Sequence, residues 1–451
     1  MKRGKTKLIT LCLLAGIVLP IIAALAWLLK AESRWMKYKA QQEAAGQDFS
    51  LEVMRFAPAD ADPAVNLARH PLLEDPNKLS AGTTSLNDVK ALTNDIKEHT
   101  RFTKLSREDN QLAALSSAGK SPAEQHAAAK LVLDELDALA EPFSSLASQL
   151  ENPASYWQLE PTHMFGGGID HDLSPIYLLK FLNMRVSCHL IMENSDAAMA
   201  DIQLIWRLAG KLAANPKGMT AVTATAMIRS VSNYIWHGME TNQFSRDQLL
   251  TLLQMMQNEP VDQANLRDII VTNRAQFIAD MNAFCGYAHG TPTLPRQLPR
   301  KIIASLQKSN YCRQLDASGL LEKSPNVTTS QLELLKYWTE RPEPNSFKLN
   351  TYALGDCYLS TLRGSAQSIA MQQASIELSK LALANALFKI DHNRQPASLA
   401  ELRSAYQLAE AEFSFEGMAV KMTKDAKGEN KFSCSIPAEL RVKSSVTTVE
   451  W

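Results

Sequence analysis

The chain has no excess of either charge. Its 47 Lys and Arg balance 47 Asp and Glu, so no global field draws it to nucleic acid. None of its six cysteines forms a C-x-x-C pair, which leaves out zinc ribbons and thioredoxin-type redox motifs. H-E-x-x-H and G-x-S-x-G are both missing, so neither a zincin helix nor a nucleophile elbow is encoded. Glycine and proline, 18 and 20 among 451 residues, are too few for a low-complexity chain. Long apolar runs are scarce as well: one spans residues 8–29, and nothing of comparable length follows.

That run, LITLCLLAGIVLPIIAALAWLL, carries no charge. As a helix it would reach about 33 Å, enough for a bilayer core of about 30 Å. Lys2, Arg3, Lys5 and Lys7 precede it and argue for a cytoplasmic N-terminus. Lys30, Arg34, Lys37 and Lys39 follow it and weaken that bias. Pro20 would kink the span, as membrane helices tolerate. Ala24-Leu25-Ala26 fits a signal-peptidase motif, but Trp27, Leu28 and Leu29 carry the apolar run past it, so an uncleaved anchor is preferred. Cys12 is discounted as a lipidation site because Leu11 stands where a small residue is wanted. The expectation is a single-pass inner-membrane protein, held to the bilayer through residues 8–29, with its body on the extracytoplasmic side.

What is abundant favours helix: Ala, Leu, Gln, Lys and Met. Residues 31–45 read as a polar stalk, with Trp35 and Tyr38 placed for the headgroup level. Pro58, Pro63, Pro71 and Pro76 make the next stretch an extended segment, laid over the body through Leu67, Leu72 and Leu73. Helix starts are then signalled at Ser85, Ser106 and, most completely, at Ser121-Pro122-Ala123-Glu124. Apolar periodicity predicts helices over 173–192, 196–214, 222–235, 246–258 and 262–285. Their short connections make antiparallel neighbours. A break at Pro292, Pro295 and Pro299 precedes helical stretches at 301–316 and 329–340. A long helix over 352–391 and a capping box at Ser398 to Glu401 follow. Period-two alternation at 412–415, 418–422 and 431–436 predicts three short strands packed on that helix.

The fold class is therefore mainly α: one N-terminal transmembrane helix, an irregular helical bundle or helical-hairpin array, and a small C-terminal antiparallel β-sheet on a long helix. The divisions are a tail and anchor at 1–30, a stalk and Pro-rich segment at 31–80, a helical domain at 81–290, a loop-rich connection at 291–350, and a long helix plus sheet at 351–451.

Three motifs carry a resemblance: Ala-Arg-His-Pro-Leu-Leu at 68–73, Asp-Ala-Ala-Met-Ala-Asp-Ile at 196–202, and Ala-Leu-Phe-Lys-Ile-Asp-His-Asn-Arg-Gln-Pro-Ala-Ser-Leu-Ala-Glu-Leu at 386–402. With the leading span, the layout resembles uncharacterised, membrane-anchored, mostly helical bacterial envelope proteins. That resemblance implies location and architecture, and no activity. The last motif is also similar to the helix-to-sheet unit of pseudopilins. Asn393 and Gln395 depart from that pattern, which usually has Gly and an aromatic there. No prepilin cleavage site is present, so the chain is not a pilin.

Chemistry is thinly signalled. Gly166-Gly167-Gly168 is followed by Ile169-Asp170 instead of Lys and Ser/Thr, so it fails as a phosphate loop and reads as a hinge. His163, Asp170, His171 and Asp172 are residue types that hold a divalent ion, but without helical spacing; they are the weak candidates for a metal or loop-built hydrolase site. His189, His237 and His392 read as structural. Cys285 and Cys312 are the candidate disulfide, flanking the Pro-rich break. Arg296, Arg300, Lys301, Lys308 and Arg313 form one basic cluster, read as a solvated surface. No cofactor is called for. The functional expectation is an extracytoplasmic protein that binds or scaffolds other envelope proteins. The alternatives are a hydrolase at 163–172, or a secretion or pilus-assembly component.

Overall fold

The computed structural model describes residues 61–74, 121–158, 174–214, 218–258, 266–286, 353–440 and 448–450, together with 32–44 and isolated positions between 18 and 333. Besides the helical stretch at 32–44, nine helices longer than one turn lie within these residues: α1 (Pro122–Leu136), α2 (Ala140–Glu151), α3 (Ser174–Ile191), α4 (Ser195–Ala213), α5 (Gly218–Glu240), α6 (Arg246–Asn258), α7 (Leu266–Gly286), α8 (Ala353–His392) and α9 (Leu399–Tyr406). Mainly α is thus the observed class.

The start signals act as their chemistry requires. The Ser121 hydroxyl oxygen accepts from the Glu124 N–H while Glu124 accepts from the Ser121 N–H, a closed capping box on α1. Asn194 caps α4 through Ala197 N. Ser245 and Gln248 exchange the same pair of bonds at α6. Ser398 caps α9 through Glu401 N. A 3-10 turn at Asp137–Leu139 separates α1 from α2 and leaves Pro142 in the first turn of α2, where its missing N–H costs nothing. The starts read at Ser85 and Ser106 lie outside the described residues.

Helix α8 is the axis of the body. Both α5 and α6 pack on it, as do α7, α9 and the sheet. From Ser365 to Phe388 nearly every position is buried, including Gln372, Gln373, Glu377, Ser379 and Asn385. Small residues let α5 approach: Ser379 donates to Ser232 across 2.9 Å, and Thr225 donates to the Ser368 carbonyl and to Gln372. One hydrophobic core runs from Trp35 to Leu440 and includes residues of α3 to α9.

Three readings are corrected. The first concerns 32–44, which is helical but does not stand free as a stalk. Trp35 and Tyr38 are 5% and 8% exposed. Their rings stack at 5.9 Å and meet Phe49 edge-on at 5.8 and 6.2 Å. They face the protein instead of the headgroup level because burying that much aromatic surface in the core outweighs wetting it. The second concerns the Pro-rich segment. Within its described residues, 61–74, it is not extended: 3-10 turns at Pro63–Val65 and Leu67–Arg69 lead to a helical turn at Pro71–Glu74. Asp62 and Asn66 cap these turns, and Pro63 and Pro71 stand at first-turn positions, where proline fits. Leu67, Leu72 and Leu73 are buried as expected.

The third concerns the sheet. A hairpin of β1 (Val420–Lys424) and β2 (Asn430–Ser435) pairs in antiparallel register with Met422 opposite Phe432, and a short β3 (Thr448–Glu450) extends it beyond β2. Residues 412–415 supply no strand. Gln373 of α8 bonds both Ser414 N and Ser414 Oγ, so a side chain satisfies what a ladder would have. The sheet does pack on the long helix: Asn430 bonds Asn385 and the Pro396 carbonyl, and its N–H bonds Gln395.

Candidate functional site

The loop at 163–172, holding His163, Asp170, His171 and Asp172, lies outside the described residues. So do Arg296, Arg300, Lys301 and Arg313 of the basic cluster. Lys308 is described, and it departs from the surface reading. It is buried, with Nζ 5.2 Å from the centre of the Trp35 ring. Cys312 is fully buried, while the Cys285 side chain is outside the described set. His237 is half-buried and its pKa is pushed down by burial, against an opposing pull from Glu240. His392 ends α8 in solvent with its ring 4.2 Å from that of Phe388.

Among the described residues, a buried convergence of titratable groups lies between α3 and α4. The turn at 192–194, with Glu193 at φ 55°, reverses the chain. Residues 185 and 189, one helical turn apart on α3, thereby face residue 201 on α4. Asp201 is 4% exposed. Its Oδ2 sits 3.3 Å from Arg185 Nε and 3.7 Å from His189 Nε2, and no hydrogen bond reaches that oxygen. Arg185 also lies over the Phe143 ring at 4.3 Å, which carries the pair onto α2.

Burial pushes the Asp201 carboxyl up to about 6, and Arg185 only partly restrains the rise. Burial lowers the His189 pKa, Arg185 lowers it further, and Asp137 opposes both. The Asp201 carboxyl thus titrates within about a unit of neutrality, beside the Arg185 and His189 side chains. Such a set can store or release a proton. Neither Ser187 nor Cys188 on α3 is poised as its nucleophile: Ser187 gives its proton to the Asn183 carbonyl, and Cys188 points into a separate apolar cluster where burial pushes its thiol up to about 12. Among the described residues no group of three or more His, Cys, Asp or Glu could hold a metal.

Two other charged sets are structural ties. Arg403 of α9 bonds Glu377 of α8 at 2.8 Å, and Arg246 of α6 forks onto Asp391 of α8 at 2.6 and 3.1 Å, with Tyr406 donating to the same carboxylate. Both join elements to the axial helix.

A different constellation surrounds the 32–44 helix. Trp35, Tyr38 and Phe49 form one aromatic group. Arg274 of α7 lies 4.5 Å from the Phe49 ring centre, Lys308 caps Trp35, and Phe277 of α7 meets Tyr311 at 4.4 Å. Cation–π attraction gains strength where the cation is desolvated, and Arg274 is fully buried. The 32–44 helix is clamped, not merely adjacent.

Sequence reasoning named His189 but passed over Arg185 and Asp201. The signal was present: Asp201 falls at helical spacing with Ala198, Ile205 and Leu208, on an otherwise apolar face. No family model, curated protein or solved structure matches the chain, so its chemistry is read from these residues alone.

Proposed function

We propose that this chain is a single-pass inner-membrane protein whose helical body, on the extracytoplasmic side, is mounted directly on its own anchor and binds or scaffolds other envelope proteins. The observation that carries the reading is a contrast along one stretch. The described positions of the apolar run, among them Leu19 at 64% and Leu29 at 68% exposed, are helical and uncovered by the rest of the chain. A few residues later the 32–44 helix is clamped by Trp35 and Tyr38. Uncovered apolar helix calls for lipid, and the clamp couples that helix to the body. Among the described residues no helix is long and apolar enough to cross a membrane, and most of 8–29 lies outside them. The scaffold reading is further supported by how the interior polar groups are used, in bonds that fix helix to helix.

The test is proximity labelling from the full-length protein with the labelling enzyme fused after Trp451, combined with alkaline extraction of the membranes. The expected result is extraction-resistant protein and a reproducible set of labelled envelope partners. Release by alkali, or labelling no different from free enzyme across growth conditions, overturns the reading.

A further inference from the structure

We propose that the exposed face of the helix beyond the anchor is a docking surface for anionic phospholipid headgroups. The inference rests on the membrane reading above and adds a lipid specificity to it. Lys30, Arg34 and Lys37 follow the i, i+4, i+7 spacing of one helix face, an arc of about 60° at about 100° per residue. All three are exposed, and among the described residues none is paired with a carboxylate. The clamp explains why. Trp35 and Tyr38 turn the adjacent flank, centred about 100° from the middle of the stripe, into the core, and the stripe is left facing outward. Lys39 stands on the far side of that buried flank and spends its charge on Glu43 at 3.4 Å.

The position selects the occupant. Lys30 is next to Leu29, the last residue of the apolar run, and Arg34 and Lys37 follow within two turns. With residues 8–29 in hydrocarbon, these cations meet the headgroup layer, where each Lys or Arg near an anionic surface gains about fivefold in association. Three on one face make a phosphate-rich bilayer a better neighbour than a zwitterionic one. Long stems let them reach the layer while the helix backbone stays with the body.

The experiment uses the full chain in nanodiscs of phosphatidylcholine with a minority of phosphatidylglycerol. Spin-labelled versions of each lipid report which one is held at the protein. The expected result is a severalfold preference for phosphatidylglycerol that falls with salt, is lost in K30Q/R34Q/K37Q, and survives in K39Q. A preference unchanged in the triple variant, or none in the wild type, overturns the inference while leaving the anchor intact. Failure of the wild-type chain to enter the discs overturns the membrane reading itself, and the inference with it. Circular dichroism of the triple variant checks that the clamp and body still fold; equal helix content is expected, since all three side chains are exposed.

Discussion

At the scale of the residue, Asp201 sets the molecule's clearest pH response. Its carboxyl holds a proton up to about pH 6, against an ordinary value of 3.8 in the open chain. The folded state thus binds the proton more tightly than the unfolded one. The contribution is fully present below about pH 4 and is lost as pH rises to about 6, by an amount on the order of 3 kcal/mol. Asp201→Asn keeps the shape and removes the titration. Denaturant unfolding at pH 4, 5 and 7 should show the variant gaining on the wild type with each step upward; parallel curves would mean the carboxyl is not perturbed. Gly238 gives a second prediction at this scale. A Cβ there would meet the Phe244 ring at 2.0 Å. Gly238→Ala should therefore cost about 1–3 kcal/mol, unlike the usual helix gain from that change, and a thermal melt would register it.

At the scale of the element, much was legible and the misses have definite causes. The capping chemistry at Ser121, Asn194, Ser245 and Ser398 placed four helix starts, because a cap is a local bond between residues close in sequence. The third strand was misplaced because alternation at 412–415 is also what a segment shows when Phe413 and Phe415 pack inward and Ser414 is held by Gln373. No local pattern announces a partner 41 residues away. Helix α8 showed little apolar sidedness because it is buried all round, and the polar residues that hide its burial are bonded to α5, α9 and the sheet. The 32–44 helix was misjudged for the mirror reason. Its aromatics suit an interface with lipid or with protein equally, and only tertiary structure decides. Trp35→Ala should cost about 3–5 kcal/mol at that dock. Hydrogen exchange should then rise across 32–44 while α4 and α5 remain protected; unchanged exchange would mean the clamp is not what holds the helix.

At the scale of the whole molecule, one core unites α3 to α9, so local opening should be rare. Cys434 in this core, and Cys188 on α3 in the smaller apolar cluster against α1, report on this. Both are free, buried thiols, pushed up to about 12 by burial. In variants retaining only one of them, reaction with a water-soluble maleimide should be very slow in the native state. It should accelerate together at the midpoint of global unfolding. Cys434 reacting well before Cys188 would show the sheet detaching as a separate unit. The candidate site is legible at this scale only in outline: the sequence places one buried acid on an apolar face, and the hairpin turn alone supplies Arg185 and His189 to it.

The clamp around Trp35 also governs geometry outside the protein. A free helix of thirteen residues would act as a mast of about 20 Å. With Trp35 and Tyr38 buried against Phe49 and Lys308, the same residues do not stand free as a mast. On the proposed membrane reading, the body would lie low, with its orientation tied to the tilt of one helix. Encounters then happen sideways, within the plane, between neighbours at the same level. Partners reaching down from far above the surface would be disfavoured by distance before any chemistry is compared.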